Sequence, residues 1–306
     1  MSWTPRKYFA RPQTVLPIAL LLILLVLQAC GGGGDEETAG GGQETAIEGL
    51  LATKDLGLGA NRISFLLQTS EGLITVPQVT VRSIYSKERD TSVEVTDARF
   101  HLWPFGTRGN YVTELSFDRP GAWELEVTVQ TFDETVTTHI PLDVKETATT
   151  PALGSTPPLV TNKTLEDVDS LSEMTAWPRP DPDLYQLTIP EALASGKPLL
   201  VVFSSPGFCT SPTCGPQADT VRELKDLYEE QANFIHVEVY DNPIDIQQDL
   251  TQGRYHPAVE AWGLPEIEGY LNESWVFIID KSGHIVAKYE GYASLQELEE
   301  GLKKVL

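Results

Sequence analysis

The hydrophobic pattern of this chain changes near residue 145, and that change constrains its fold more than any other feature. Across residues 62–144, short segments rich in Val, Ile, Thr and aromatic residues are separated by turn signals such as "TRGN" and "DRPG". Several segments alternate with period two, so that Trp123, Leu125 and Val127 share one face of "WELEVTV". This pattern is typical of antiparallel strands with one buried face. The sequence predicts an all-β sandwich over residues 47–145.

Strands and helices alternate in the last part of the chain, residues 184–306. "PLLVVFS" is a continuous apolar run, as expected of a central strand covered on both faces. "QADTVRELKDLYEEQ" has an apolar stripe at helical spacing, and "NFIHVEVY", "SWVFIID" and "HIVAKYEG" predict further strands. With a capped final helix in "SLQELEEGLKKVL", the order is β-α-β-α-β-β-α after an opening helix. We therefore predict an α/β domain.

The stretch between these two parts, residues 146–183, has a different composition. It contains "TATTPALGSTPP" and "WPRPDPD", in which Pro, Thr, Ser and Asp follow no period. Such sequences are typical of linkers that stiffen where prolines cluster. We therefore predict a Pro/Thr-rich linker between two domains.

The N-terminus has the order of an export signal. Basic residues precede "VLPIALLLILLVLQA", which is shorter than the roughly 20 residues of a membrane span. "LQAC", which ends at Cys30, resembles the bacterial lipobox, so we predict a signal peptide at residues 1–29 and a lipid on Cys30. Residues 30–46 are glycine-rich and predict a flexible tether. The alternative is an uncleaved membrane anchor in which Cys30 carries no lipid. In both cases the expected location is the extracytoplasmic face of a cell membrane.

Two cysteines remain once Cys30 is set aside, Cys209 and Cys214. Outside the cytoplasm, two cysteines separated by four residues can form a disulfide. A sulfur at a helix N-terminus is stabilised as thiolate by the helix dipole, which favours Cys214 as the attacking sulfur and Cys209 as the resolving one. The alternative is a permanent structural disulfide that closes a surface loop.

Two family resemblances sharpen these predictions. "YVTELSFDRPGAWELEVTV" resembles the immunoglobulin-like domains of some bacterial surface and copper-handling proteins, through its Pro-Gly-x-Trp turn. It implies an immunoglobulin-like sandwich, which we interpret as a spacer or docking module because His101 and His139 have no methionine near them in sequence. "PLLVVFSSPGFC", "CGP" and "WVFIIDKSGHIVAKYEG" resemble extracytoplasmic thioredoxin-like lipoproteins, including the TlpA and Sco groups. The second resemblance implies a thioredoxin-like fold for residues 184–306.

The thioredoxin-like resemblance also implies site residues and an activity. Cys209 and Cys214 would exchange disulfides with exported proteins, beside a substrate groove formed by Pro216, Ser274 and Trp275. By its spacing from the preceding strand Cys209 matches the family's first cysteine, whereas by local motif Cys214 matches it better, so the order of the two stays open. Two departures from the family stand in this sequence. Gln217 occupies the place of the second cysteine of the motif, and Ser274 occupies the place of a cis-proline.

The remaining expectations concern partners and rival functions. A formal net charge of −22 disfavours binding to nucleic acid. The expected partners are membrane lipid, through Cys30, and, as the thioredoxin-like resemblance implies, the thiols or disulfides of exported proteins. No cofactor and no metal are expected. The main alternative is a non-catalytic binding module with a structural disulfide. Copper delivery of the Sco type would need His256, and a peroxidase site would need Pro206, Thr210 and Cys214.

Overall fold

The computed structural model describes residues 46–88, 92–104, 106–131, 134–209, 211–246 and 249–306. The predicted signal peptide, Cys30 and the tether up to residue 45 lie outside these described residues, as does Thr210. In the ranges described, none of the helices combines the length and apolarity needed to cross a bilayer. These ranges all belong to one compact unit, Thr45–Leu306.

The first part of this unit is an antiparallel sheet. The strands are β1 Glu48–Leu51, β2 Gly59–Thr69, β3 Gly72–Leu73, β4 Gln78–Tyr85, β5 Ser92–Leu102, β6 Gly109–Phe117, β7 Gly121–Gln130 and β8 Thr135–Val144. Their order is β1-β2-β6-β5-β4-β7-β8, with β3 paired to β2. The predicted face of β7 is confirmed, since Trp123, Leu125 and Val127 are all buried in the core of this sheet. The all-β prediction is confirmed.

The strand pairing differs from the predicted two-sheet sandwich. Hydrogen bonds link all eight strands into a single sheet, which curls until its first and last strands meet. At that seam the Thr138 hydroxyl donates a hydrogen bond to the Ile47 carbonyl oxygen (2.8 Å). Curling lets one continuous sheet bury its apolar face against itself, so a second sheet is not required. We call residues 46–144 the curled sheet.

The predicted linker, residues 146–183, is folded against the rest of the chain. It contains the 3-10 helix Leu171–Glu173 and the start of a second one, Pro182–Tyr185, and the side chains of Met174 and Trp177 are buried. Both side chains belong to a hydrophobic core of the C-terminal part of the chain. This segment has no hydrophobic period, yet it is not exposed, because irregular chain can be held by individual buried side chains and hydrogen bonds.

The last part of the chain has the predicted alternation of strands and helices. The elements are α1 Ile189–Ala194, β9 Leu199–Ser204, α2 Cys214–Tyr228, β10 Asn233–Glu238, α3 Pro243–Ile246, α4 Pro257–Ala261, β11 Trp275–Ile279, β12 Ile285–Glu290 and α5 Leu295–Lys303. The sheet order is β10-β9-β11-β12, in which β9 and β10 are parallel and β11 is antiparallel to both neighbours. Residues of α2 and α5 pack on one face and residues of α1 and α4 on the other, so β9 is buried throughout.

Buried polar contacts join the curled sheet to this α/β part. The Arg62 guanidinium binds the Glu297 carboxylate (2.9 Å) and donates to the carbonyl oxygens of Glu290 and Tyr292. Arg62 lies on β2, whereas Glu297 lies in the first turn of α5. The curled sheet is therefore an integral neighbour of the α/β part.

Candidate functional site

The two predicted cysteines form a disulfide at the end of the central strand. The Cα atoms of Cys209 and Cys214 are 6.1 Å apart, within the range that a disulfide permits. Cys209 lies in the loop that follows β9, and Cys214 is the first residue of α2. The prediction that these cysteines pair is confirmed.

The two cysteines differ in exposure. Cys214 is fully buried, whereas Cys209 is partly exposed. Cys214 also lies in the field of the positive end of α2, where backbone N–H groups favour a thiolate over a thiol. Thr213, at the N-cap, makes no side-chain capping bond that would compete for those groups. Cys209 is therefore the more accessible residue of the pair, whereas Cys214 is the one that the helix dipole favours as a thiolate.

A backbone carbonyl lies against both sulfurs. The Asn272 oxygen is 3.3 Å from Cys214 Sγ and 3.7 Å from Cys209 Sγ. Asn272 has a left-handed backbone (φ 53°), a conformation that asparagine tolerates better than most residues. Its buried side-chain amide donates to the Phe208 carbonyl (3.1 Å) and the Tyr240 hydroxyl (3.2 Å). Sequence reasoning missed Asn272, and its only signal was an asparagine just before a buried strand.

The three predicted groove residues occupy different surroundings. Pro216 is partly exposed in the first turn of α2, where it lines a shallow depression with Pro104 and Glu223. Ser274 is buried: its hydroxyl donates to the Gly291 carbonyl (3.0 Å), and its carbonyl accepts from the Gly291 N–H (2.9 Å). Every described peptide bond is trans, as expected for serine at this position.

Trp275 lies deeper still. It begins β11, is almost fully buried, and stacks on Phe277 with ring centroids 5.6 Å apart. Ser274 and Trp275 therefore do not line an open groove in this structure. The reason is that β11 lies inside the sheet, between β9 and β12, and that both of its faces are packed in hydrophobic clusters.

Gln217, which stands where the thioredoxin-like resemblance would place a second cysteine, has an internal role. Its side chain is fully buried, and Oε1 accepts a hydrogen bond from the Ala293 N–H (2.7 Å). This bond ties the first turn of α2 to the turn before α5. A thiol is a much weaker acceptor than an amide oxygen, so cysteine would not support this link equally well.

A buried acid lies at the base of the loop that carries Cys209. The Glu238 carboxylate accepts hydrogen bonds from the Thr175 hydroxyl (3.0 Å) and the Ala176 N–H (3.0 Å). Ala176 packs so closely on Gly207 that a side chain on that glycine would lie 2.5 Å from it. Burial raises the pKa of Glu238 to about 7, against the opposing effect of these hydrogen bonds. Glu238 can therefore exchange a proton near neutral pH.

Two buried histidines adjoin Glu238. His236, His256 and Glu238 line a cavity of about 10 Å³, room for about one water molecule. Burial lowers the pKa of each histidine to about 4, so both are neutral at pH 7. His256 Nδ1 accepts from the Ala258 N–H (3.0 Å) and caps α4. The histidine that copper delivery would require thus already holds a helix terminus.

Comparison with known proteins gives little beyond this geometry. No family model matches the chain, and no curated protein matches it. One similar solved structure is a thiol:disulfide interchange protein of the thioredoxin family from Chlorobium tepidum TLS, with a TM-score of 0.33 and 16% identity. The match covers 51% of this chain and 98% of that chain. A likeness at this TM-score supports no functional assignment.

Proposed function

We propose that the chain performs thiol–disulfide exchange on exported proteins, from a thioredoxin-like α/β part over residues 184–306. The observation that carries this proposal is the Cys209–Cys214 disulfide, which stands where the central strand β9 leads into α2. The sheet order β10-β9-β11-β12, with one parallel pair and two antiparallel strands, supports the fold proposal. A disulfide placed between a strand end and a helix N-terminus has both access and a stabilised leaving group.

The unequal exposure of the two cysteines sets the order of the exchange. A partner thiolate attacks Cys209 Sγ, the Cys209–Cys214 bond breaks, and Cys214 leaves as a thiolate at the N-terminus of α2. A second thiol of the partner then attacks the partner's sulfur in the mixed disulfide. This step forms a disulfide within the partner and releases Cys209 as a thiol. The partner is oxidised by two electrons and the cysteine pair is reduced. This order reverses the roles that the helix-terminus argument alone had favoured.

The reduction potential of the pair tests this function. We expect equilibration with glutathione buffers to give a potential between roughly −120 and −270 mV, the range of labile catalytic disulfides. Mass spectrometry after alkylation would measure the reduced fraction at each buffer ratio. A potential below about −300 mV, together with no reductase activity toward a model disulfide, would contradict the proposal.

A binding module with a structural disulfide is the second candidate. It is favoured by Gln217 and Ser274, since both replace motif residues of the thioredoxin family with side chains that make internal hydrogen bonds. On that hypothesis the disulfide closes the loop before α2 and takes no part in exchange. The same potential measurement separates the two candidates, because a structural disulfide resists the glutathione pool.

We further propose that the protein is lipid-anchored through Cys30 on the extracytoplasmic face of a cell membrane. The support is the order of basic residues, apolar run, "LQAC" and glycine-rich tether in the sequence. We expect Cys30→Ala to abolish incorporation of labelled fatty acid and to stall processing or release the protein from the membrane fraction. Unchanged lipid labelling in that variant would refute the anchor.

A further inference from the structure

The loop before β11, residues 269–273, carries the carbonyl that contacts the disulfide. Its Asn272 oxygen lies within 3.3 Å of Cys214 Sγ, as described above for the site. The loop begins at Gly269, which has a left-handed backbone (φ 69°), and it ends where Glu273 precedes the buried strand. Whatever holds this loop therefore holds the Asn272 carbonyl against the sulfurs.

A lysine of the curled sheet reaches this loop. Lys54, in the connection between β1 and β2, donates from Nζ to the Gly269 carbonyl (2.6 Å) and the Glu273 carboxylate (2.8 Å). The backbone N–H of Lys54 is itself bound by the Glu290 carboxylate at the end of β12 (2.8 Å). Lys54 is thus fixed at its backbone while its side chain bridges the two ends of the loop.

The Glu273 carboxylate extends this contact into the middle of the loop. One oxygen accepts from Lys54, and the other accepts from the Leu271 N–H (2.8 Å). Leu271 directly precedes Asn272. Charge-assisted hydrogen bonds of this kind are shorter and stronger than neutral ones, so the position of the Asn272 carbonyl depends on the ion pair.

We propose that Lys54 is a positioning residue of the cysteine site, through which the curled sheet sets the redox equilibrium of Cys209 and Cys214. This inference rests on the proposed exchange function and adds a role for the curled sheet. In the disulfide, neither sulfur has a proton to donate to the Asn272 oxygen. Complete reduction adds two electrons and two protons, so once the Cys214 thiolate that leaves in the exchange has taken up a proton, the S–H groups can donate to that oxygen. The contact therefore favours the dithiol.

Removing the charge and the hydrogen-bond donors of Lys54 tests the inference. In Lys54→Met we expect the equilibrium with glutathione to shift three- to tenfold toward the disulfide, ~15 to ~30 mV more negative than the parent. Hydrogen exchange at the Leu271 amide should accelerate, because the carboxylate that binds it loses its cation. Lys54→Arg should restore the parent potential, since arginine can bind both the carbonyl and the carboxylate.

Lys145→Met is the matched control, because it removes the same charge beside the same connection between β1 and β2. Lys145 donates to the Thr149 hydroxyl (2.8 Å) and lies 3.6 Å from the Asp55 carboxylate. We expect it to leave the potential unchanged. Should Lys54→Met fail to fold, Glu273→Gln weakens the same pair from the loop side and should shift the potential in the same direction.

The outcomes separate this inference from the function on which it rests. No shift in Lys54→Met, or an equal shift in Lys145→Met, overturns the positioning role even when the parent disulfide is labile. A parent potential in the structural range overturns the exchange function, while the shift between parent and Lys54→Met still reports on the position of the loop.

Discussion

Reduced Cys214→Ser protein should form a stable mixed disulfide with a partner, whereas reduced Cys209→Ser protein should react slowly or not at all. Cys209 is the partly exposed member of the pair, so with Cys214 replaced its thiolate still attacks a partner disulfide. The mixed disulfide then accumulates because no second thiol resolves it. Conversely, the remaining thiol of Cys209→Ser belongs to a fully buried residue. We expect at least about a tenfold difference in rate, from access alone.

The measurement is the rate of reaction of each single-cysteine variant with an aromatic disulfide reagent, followed by mass spectrometry of the adduct formed with a model disulfide protein. Cys30 must be lipidated or replaced by alanine in every variant, so that it adds no free thiol. The double serine variant gives the background rate. The opposite order of reactivity would restore Cys214 as the attacking sulfur, as the helix-terminus argument by itself favours.

The substitution Asp55→Ala should lower the free energy of unfolding by about 3 to 5 kcal/mol, which is typical for removal of one partner from a buried charged network. The Asp55 carboxylate is fully buried between the curled sheet and the α/β part. It accepts from the N–H groups of Thr149 (2.7 Å) and Thr150 (2.9 Å) and from the Thr150 hydroxyl (2.7 Å). Lys288 Nζ lies 3.7 Å from it. Removing the carboxylate leaves these donors buried without their acceptor.

Urea denaturation of Asp55→Ala against the parent measures this loss, and Asp118→Ala is the control. Asp118 forms an exposed ion pair with Arg119 (3.0 Å), and such pairs contribute about 0 to 1 kcal/mol. A loss at Asp55 no larger than that at Asp118 would show that the network is not needed for stability.

The pH dependence gives an independent check on Asp55. Burial by itself raises the pKa of this carboxyl, but hydrogen bonds from Thr150 and Thr149 and the charge of Lys288 outweigh it and hold the pKa below its ordinary value. An acid whose pKa is lowered by folding stabilises the protein above its unfolded pKa of about 4. That contribution is lost as the pH falls through the folded value. The difference between parent and Asp55→Asn should therefore shrink below about pH 4.

The contacts of Lys54, Asp55 and Arg62 change how the curled sheet is interpreted. The sequence led us to describe this part as a spacer or docking module. These three residues instead bind groups of the α/β part that lie hundreds of positions later, including Glu290 and Glu297. The curled sheet is therefore bound to the α/β part through specific polar contacts.

Local pattern was enough to predict most of the secondary structure and the disulfide. Period-two alternation in β7 and the continuous apolar run of β9 each report the burial of their own strand, which a short window of sequence contains. The pairing of Cys209 with Cys214 was equally local, because five positions of chain keep two Cα atoms within reach of each other.

Tertiary structure alone decided how the site is built. Lys54 and Glu273 are 219 positions apart, and Gln217 and Ala293 are 76 apart, so no local period records either contact. The same holds for the exposure of Cys209 and the burial of Cys214, Ser274 and Trp275, which depend on what packs over each strand end. The sequence by itself determined which segments are strands and helices and where two sulfurs meet. The tertiary packing around the end of β9 determined that Cys209 is partly exposed, that Cys214 is buried and that the Asn272 carbonyl lies against both, because residues far apart in sequence meet only after the backbone is placed.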